Sequence, residues 1–206
     1  MNVKDFIAKT TLPTRHGIVK RIAPKLYHDA FLNNVPRPTI LFVKAIRGNE
    51  LLTGLEIGVA EGVNAESILK TLRIRKLYLV DPYESYIQDG KLYSSYIPAK
   101  DEAVKRLWNF RDRTQFINLK SDEAVDSVPE GLDFAYIDGN HGYEYVKKDI
   151  ENYYLKVKEK GVIGGHDFHN NYLGVIRAAV EFSSSRRLEL MATETLGPDL
   201  FFFRER

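Results

Sequence analysis

Three of the five histidines in the chain stand beside aspartates in two short segments. The sequence DGNH at 138–141 follows the apolar run LDFAYI, and HDFH at 166–169 follows the run GVIGG. Neighbouring parallel strands of an open α/β sheet end at the same edge, where ligands bind. We therefore expect the two segments to form one polar site. Imidazoles exchange protons near neutral pH, and carboxylates with imidazole also suit a divalent metal.

A second group of residues is typical of a nucleotide site. Gly58 and Gly62 follow an apolar strand and allow a ligand to approach the backbone closely. Asp81 ends the next strand, 25 residues after Glu56, and an acidic side chain there can accept hydrogen bonds from ribose hydroxyls. Asp81 could instead only cap a turn before Pro82.

Short apolar runs alternate with amphipathic stretches, which predicts βαβ units. We expect strands at 52–57, 76–81, 115–119, 132–138 and 161–166, with helices at about 63–73, 99–110, 122–127, 143–157 and 172–184. Two further strands, 188–194 and 200–204, flank a Gly-Pro-Asp turn and must pair antiparallel. The predicted fold is α/β, with a seven-stranded, mostly parallel sheet that carries a C-terminal antiparallel hairpin and has helices on both faces.

The composition favours one folded domain preceded by a basic segment. Of 206 residues, 44% are hydrophobic and none is cysteine, which excludes disulfides and thiolate metal sites. Neither a signal peptide nor a membrane span is expected, so we predict a cytoplasmic protein. Residues 1–50 carry nine Lys/Arg against three Asp/Glu. We interpret 1–50 as a basic helical extension and 51–206 as the main domain. The basic charge could attract an anionic partner or form a solvated helical face.

Three motifs resemble those of a known enzyme class. LEIGVAEGVNAESIL and LYLVDPY look like the first two motifs of S-adenosylmethionine methyltransferases. The run from LDFAYIDGNHGYEY to GVIGGHDF is similar to the small-molecule O-methyltransferases of methyltransferase family 24. The resemblance covers about residues 50–206. It implies a Rossmann-like methyltransferase fold with S-adenosylmethionine at the carboxyl edge of the sheet.

The resemblance also implies roles for individual residues. The implied cofactor-binding residues are Glu56, Gly58, Glu61, Gly62, Asp81, Ser121, Asp122 and Asp138. The first glycine motif would line the methionine part, Asp81 would hold the ribose, and Ser121 and Asp122 would lie near adenine.

Some relatives bind a divalent metal at the ends of their fourth and fifth strands. Their ligands map to Asp138 and Asp167, and His166 is the neighbouring candidate for Mg²⁺ or Mn²⁺. Three positions depart from the relatives. Phe168 replaces the asparagine of the catechol type, His166 replaces a carboxylate of the sugar-modifying relatives, and Asn140 replaces an acidic base.

These departures lead us to expect His141, next to Asp138, as the catalytic base for a hydroxyl acceptor. The rate of methyl transfer would then rise with pH through about 6–7, as the imidazole loses its proton. The tyrosine-rich stretch 83–98 offers flat faces for a small polar acceptor such as a sugar. The partner would then be a small molecule, and a homo-oligomer is compatible with the sequence.

Two alternatives remain open at this stage. An NAD(P)-binding oxidoreductase would also use Asp81 on a ribose, and an RNA methyltransferase would use the basic segment 1–50. The full G-x-G-x-x-G motif is missing, and the modest net charge argues against a nucleic-acid partner.

Overall fold

The computed structural model describes residues 36–88, 91–93, 96–193 and 199–204. Its main sheet has seven strands in the order β5-β2-β1-β6-β7-β9-β8. These strands are β1 (Leu52–Ile57), β2 (Ile74–Val80), β5 (Thr114–Ile117), β6 (Leu132–Ile137), β7 (Val157–Gly165), β8 (Met191–Ala192) and β9 (Leu200–Phe203). The first five strands in this order are mutually parallel. Strand β9 pairs antiparallel with β7, and β8 pairs antiparallel with β9.

Helices cover both faces of this sheet. They are α1 (Pro38–Arg47), α2 (Val63–Thr71), α3 (Tyr96–Arg106), α4 (Tyr143–Lys156) and α5 (Leu173–Arg186). Side chains alternate along the buried strands, so Phe134 and Tyr136 join the core beneath α1 and α2. Ala135 and Ile137 join the core beneath α4 and α5. The fold is therefore an α/β Rossmann-like methyltransferase fold. None of the described helices combines the length and apolarity that crossing a bilayer requires.

Several predicted elements differ from those observed. The predicted helix at 122–127 is wrong, since only a 3₁₀ turn forms there, at Val125–Ser127. Pro129 holds Val128 in extended backbone and so ends the turn after Ser127. A small hairpin, β3 (Tyr86–Gln88) with β4 (Lys91–Tyr93), was not predicted. Strand β7 begins four residues earlier than predicted, and the strand at 188–194 shrinks to two residues.

Helix α1 packs into the main core although it belongs to the basic segment. Ile40, Phe42 and Val43 are buried among side chains of the sheet. The domain boundary at residue 50 stays a prediction, and residues 1–35 lie outside the described chain.

A buried carboxylate from the far end of the chain caps α1. Asp199 is fully buried, and its Oδ2 accepts the Thr39 backbone N–H at 3.0 Å. Its Oδ1 accepts the Tyr136 hydroxyl at 3.0 Å. Burial raises the pKa of Asp199 to about 6. Arg37, the local N-cap residue, makes no side-chain capping bond. Asp199 therefore fixes the start of α1 against the sheet.

We expect Asp199→Ala to lower the free energy of unfolding by about 2–4 kcal/mol, because two buried donors lose their acceptor. Urea unfolding followed by circular dichroism measures this change. Asp199→Asn keeps one acceptor oxygen and should cost less, and Asp112→Ala, at an exposed position, should be nearly neutral. An alanine variant as stable as the native chain would contradict the assigned role.

Candidate cofactor and catalytic site

The turn after β1 brings the ends of two strands into close contact. Gly58 has φ +80°, and a Cβ placed on it would lie 2.0 Å from the carbonyl oxygen of Asp138. Only glycine fits this approach. The end of β1 therefore lies directly beside the end of β6, and the site is built around that junction.

Gly62 has a structural role at the start of α2. It is the N-cap residue of α2 with φ +74°, and an added Cβ would lie 3.3 Å from Ala103 of α3. Gly62 thus permits close packing of two helices, and its role toward a cofactor stays a prediction.

Asp81 holds the glycine turn in place. Its Oδ2 accepts the backbone N–H groups of Val59 at 2.9 Å and Ala60 at 3.0 Å. Its Oδ1 accepts the N–H of Tyr83 at 2.8 Å. Ala60 and Tyr83 both have positive φ, at 45° and 52°, a strained conformation that these bonds stabilise. The ribose contact of Asp81 stays a prediction, and removing this carboxylate would loosen the turn whether or not ribose binds there.

A cavity of about 170 Å³ opens beside this turn. Arg37, Glu56, Gly58, Glu61, Asn64 and Asp138 are among the residues that line it. Glu56 is 1% exposed, and its Oε1 accepts a hydrogen bond from Asn64 Nδ2 at 2.8 Å. Within the described chain, Glu56 Oε2 and Asn64 Oδ1 are buried without a hydrogen-bond partner. Burial raises the pKa of Glu56 to about 8. The cavity wall therefore offers two unpaired acceptors, which suit an ammonium group with its three donors.

The predicted adenine residues lie on the loop after β5. Asp122 forms an ion pair with Lys148 at 2.7 Å, and the carbonyl of Ser121 accepts the Tyr153 hydroxyl at 2.6 Å. Helix α4 thus holds this loop. Ser121 and Asp122 do not line the cavity described above, and their contact with adenine stays a prediction.

The two Asp/His segments converge as the sequence predicts. His141 Nε2 lies 2.9 Å from Asp167 Oδ2 and 3.6 Å from Asp138 Oδ1. Two further histidines contact the Oδ1 of Asp167, His166 through Nδ1 at 3.1 Å and His169 through Nε2 at 3.3 Å. Asp167 itself has φ +61°. One carboxylate at the end of β7 therefore orients three imidazoles.

The electrostatics bear on the expected behaviour of His141. Burial lowers its pKa, but hydrogen bonds to Asp138 and Asp167 outweigh burial and raise the pKa to about 9. Burial alone would raise the pKa of Asp167, yet the two histidine contacts hold it well below its usual range. The raised pKa favours the imidazolium form of His141 at neutral pH, which works against a role as a neutral base there. The rise in rate through pH 6–7 stays a prediction.

His166 is not suited to the predicted role of metal ligand. Arg37 Nη1 lies 2.6 Å from His166 Nε2, and a guanidinium only donates. Although the Asp167 contact raises the pKa of His166 against the opposing effect of burial, Nε2 must carry a lone pair. The ring proton therefore lies on Nδ1, facing Asp167, and both nitrogens are engaged. His141 takes the place of His166, because ligand atoms of Asp138, His141 and Asp167 lie within 4.8 Å of one another.

Two other predicted features have structural roles. Asn140 Oδ1 accepts the Gly142 N–H at 2.9 Å and shapes the turn into α4. Tyr83 is 7% exposed, and its hydroxyl donates to the Ala60 carbonyl at 3.2 Å, so it does not offer a face to an acceptor. The side chains of Tyr93 and Tyr96 lie outside the described residues.

Comparison with known proteins gives the family. A family model described as a methyltransferase domain, that of methyltransferase family 24, matches residues 55–168, more than half of the chain. The chain belongs to this family. Its glycine turn and strand order agree with the class I methyltransferase fold of this family.

Individual relatives do not determine the methyl acceptor. An uncharacterized protein of Acanthamoeba polyphaga mimivirus is 29% identical over 58% of this chain, and the match spans about half (52%) of that relative. An rRNA methylase from Streptococcus thermophilus has a TM-score of 0.60 at 13% identity, covering 82% of this chain and 95% of its own. A protein assigned as a caffeoyl-CoA O-methyltransferase from Staphylococcus aureus has a TM-score of 0.61 at 16% identity. The match covers 98% of this chain and 97% of that protein. These similarities show a shared fold.

Sequence reasoning missed two residues of the site. Arg37 stands 129 positions before His166, and it was counted only as part of a basic segment. Asn64 is the second residue of α2, where a polar residue is ordinary. No spacing in the sequence connects either residue to the strand ends.

We expect the imidazole of His141 to titrate near pH 9 in the metal-free protein, because two carboxylates stabilise its charged form. NMR of ¹⁵N-labelled histidine measures this, and Asp167→Asn should move the pKa down. Lys148→Met, which removes a charge from the exposed side of α4, is the matched control and should leave the pKa of His141 unchanged. Titration at about 6–7 in the native protein would contradict the assigned network.

Proposed function

We propose that this methyltransferase transfers the methyl group of S-adenosylmethionine to a hydroxyl of a small polar molecule such as a sugar. One observation carries the proposal. Asp138 belongs both to the Asp/His cluster and to the wall of the cavity. An acceptor hydroxyl held by the cluster would therefore lie beside a cofactor in the cavity. Methyl transfer needs the acceptor positioned in line and its proton removed.

The cavity residues fit the methionine part of the cofactor. The ammonium group would lie against the unpaired oxygens of Glu56 and Asn64, where its charge would favour ionised Glu56. The cofactor supplies a methyl group on a sulfonium, which needs no further activation by the protein. Gly58 lets the ends of β1 and β6 meet at the edge of the cavity, and Asp81 fixes the turn beside it.

Cofactor binding should release about one proton at pH 6.5, because Glu56, with a pKa of about 8, must ionise to pair with the ammonium. Affinity should accordingly rise about tenfold per pH unit up to about pH 8. Calorimetry with S-adenosylhomocysteine in two buffers of different ionisation enthalpy counts the protons. Glu56→Gln should release none and bind more weakly, whereas Glu84→Gln, at an exposed position, should behave like the native chain. Equal proton release by the Glu56 variant would rule this contact out.

We further propose that a divalent cation binds Asp138, His141 and Asp167 in place of the proton on His141. Two carboxylates and one imidazole suit Mn²⁺ better than Mg²⁺, which prefers oxygen ligands only. Such a cation lowers the pKa of a bound hydroxyl. His141 would then hold the cation instead of removing the acceptor's proton, and the proton of the acidified hydroxyl would pass to solvent. This resolves the conflict between the raised pKa of His141 and a role as neutral base.

The native protein should bind one Mn²⁺, measured by electron paramagnetic resonance, and Asp167→Asn should weaken that binding about 100-fold or more. Asp122→Asn, which changes a carboxylate outside the cluster, should have no effect. With an acceptor in hand, EDTA should lower methyl transfer by about 100-fold or more, and Mn²⁺ should restore it. Full activity after exhaustive EDTA treatment would exclude the metal, and methyl on nitrogen or carbon would exclude the hydroxyl acceptor.

An RNA acceptor is the second candidate, favoured by one surface feature. Arg111 stacks on Trp108 at 4.9 Å and Arg113 on Phe110 at 5.2 Å, and Trp108 is 60% exposed. Arginine beside exposed aromatic rings suits stacking with unpaired bases. Labelled methyl recovered in the RNA fraction of an extract, instead of the small-molecule fraction, would decide for this alternative.

A further inference from the structure

Arg37 brings a positive charge into the cavity from outside the segment that matches the family. It immediately precedes α1, is half-buried, and lines the cavity together with Glu56 and Asn64. The bond to His166 uses one of the five donors that a guanidinium carries. Within the described part of the chain, no carboxylate lies within ion-pair distance (4.0 Å) of Arg37.

A half-buried guanidinium without a directly paired anion favours an anionic ligand. Asp138 also lines the cavity, but its charge already has a partner in His141, 3.6 Å away. The charge of Arg37 is therefore available to a ligand that enters the cavity. Its position is fixed, because Asp199 caps the following turn of α1 through the Thr39 N–H.

The cavity thus presents an acceptor pair and a cation together. Glu56 and Asn64 supply unpaired oxygens for an ammonium group, and Arg37 supplies donors for a carboxylate. An α-amino acid carries these two charges one carbon apart. Among cofactor groups, the methionine end of S-adenosylmethionine has this pattern, whereas a ribose or an adenine does not.

We propose that Arg37 binds the carboxylate of the methionine moiety of S-adenosylmethionine and so distinguishes the intact cofactor from decarboxylated forms. The proposal rests on the proposed binding of the cofactor in this cavity. It makes Arg37, at the start of α1, part of the cofactor site, and gives Asp199, which caps α1, a supporting role. Arg37 then contributes to cofactor specificity.

The test compares two ligands by calorimetry, S-adenosylhomocysteine and S-adenosyl-3-thiopropylamine, which lacks only the carboxylate. The native protein should bind the first about 10-fold to 100-fold more tightly. Arg37→Met should bind the first ligand as weakly as the second and lose the discrimination. Arg37→Lys, which keeps the charge without the planar fork, should retain part of it.

The matched control is Lys44→Met, which removes one positive charge from the same helix where Lys44 contacts only Asn49 in the described chain. Its discrimination should equal that of the native protein. Equal weakening of both ligands by Arg37→Met would indicate a structural role and overturn the inference. So would a native protein that binds both ligands equally, a result that decides even if Arg37→Met fails to fold. Failure of the native protein to bind S-adenosylhomocysteine at all would instead refute the proposed cofactor cavity.

Discussion

The contact between Gly58 and the Asp138 carbonyl determines how the rest of the site is arranged. No side chain fits between the ends of β1 and β6 at this point, so the two strand ends meet directly. Glu56, at the end of β1, then faces the cavity on one side of the junction. Asp138, at the end of β6, faces both the cavity and the histidines. Under the proposed function, a cofactor at β1 and an acceptor at β6 and β7 would lie within reach of each other.

The charges around this junction depend on one another. Asp167 is held ionised by His141 and His166, and in turn it keeps His141 protonated. Arg37 fixes the tautomer of His166 through Nε2. Glu56, in contrast, has no cationic partner in hydrogen-bond contact within the described chain and is held neutral by burial. The Asp/His cluster is thus internally balanced, whereas the cavity wall leaves groups that a charged ligand would satisfy. This difference suggests that the cluster is preformed and that the cofactor cavity changes its protonation when it is filled.

Much of the fold was predictable because periodicity reports local structure directly. The buried strands β1 and β6 are short runs rich in apolar residues, and α4 repeats its apolar residues at helical spacing. The hairpin of β3 and β4 was missed although Asp89-Gly90, a common two-residue turn, stands between its strands in the sequence. The helix at 122–127 was overpredicted, and only the 3₁₀ turn at Val125–Ser127 forms there.

The site was predicted in outline and not in its details. Strand ends are local features of the sequence, so the convergence of Asp138, His141 and Asp167 could be expected. The tautomer of His166 and the capping of α1 by Asp199 depend on residues more than a hundred positions apart, Arg37 with His166 and Thr39 with Asp199. No local pattern reports such pairs. For Asp81 the sequence left a ribose contact and a turn-forming role open, because both use the same carboxylate, and the three backbone bonds show the turn-forming role.

The most direct test of the account is a crystal structure of the native protein with S-adenosylhomocysteine. The account predicts the amino-acid end of the ligand in the cavity beside Gly58, with its ammonium within hydrogen-bond distance of Glu56 Oε2 and its carboxylate at Arg37. A ligand bound elsewhere, or one whose ammonium points away from Glu56, would contradict the central claim that this cavity is the cofactor site.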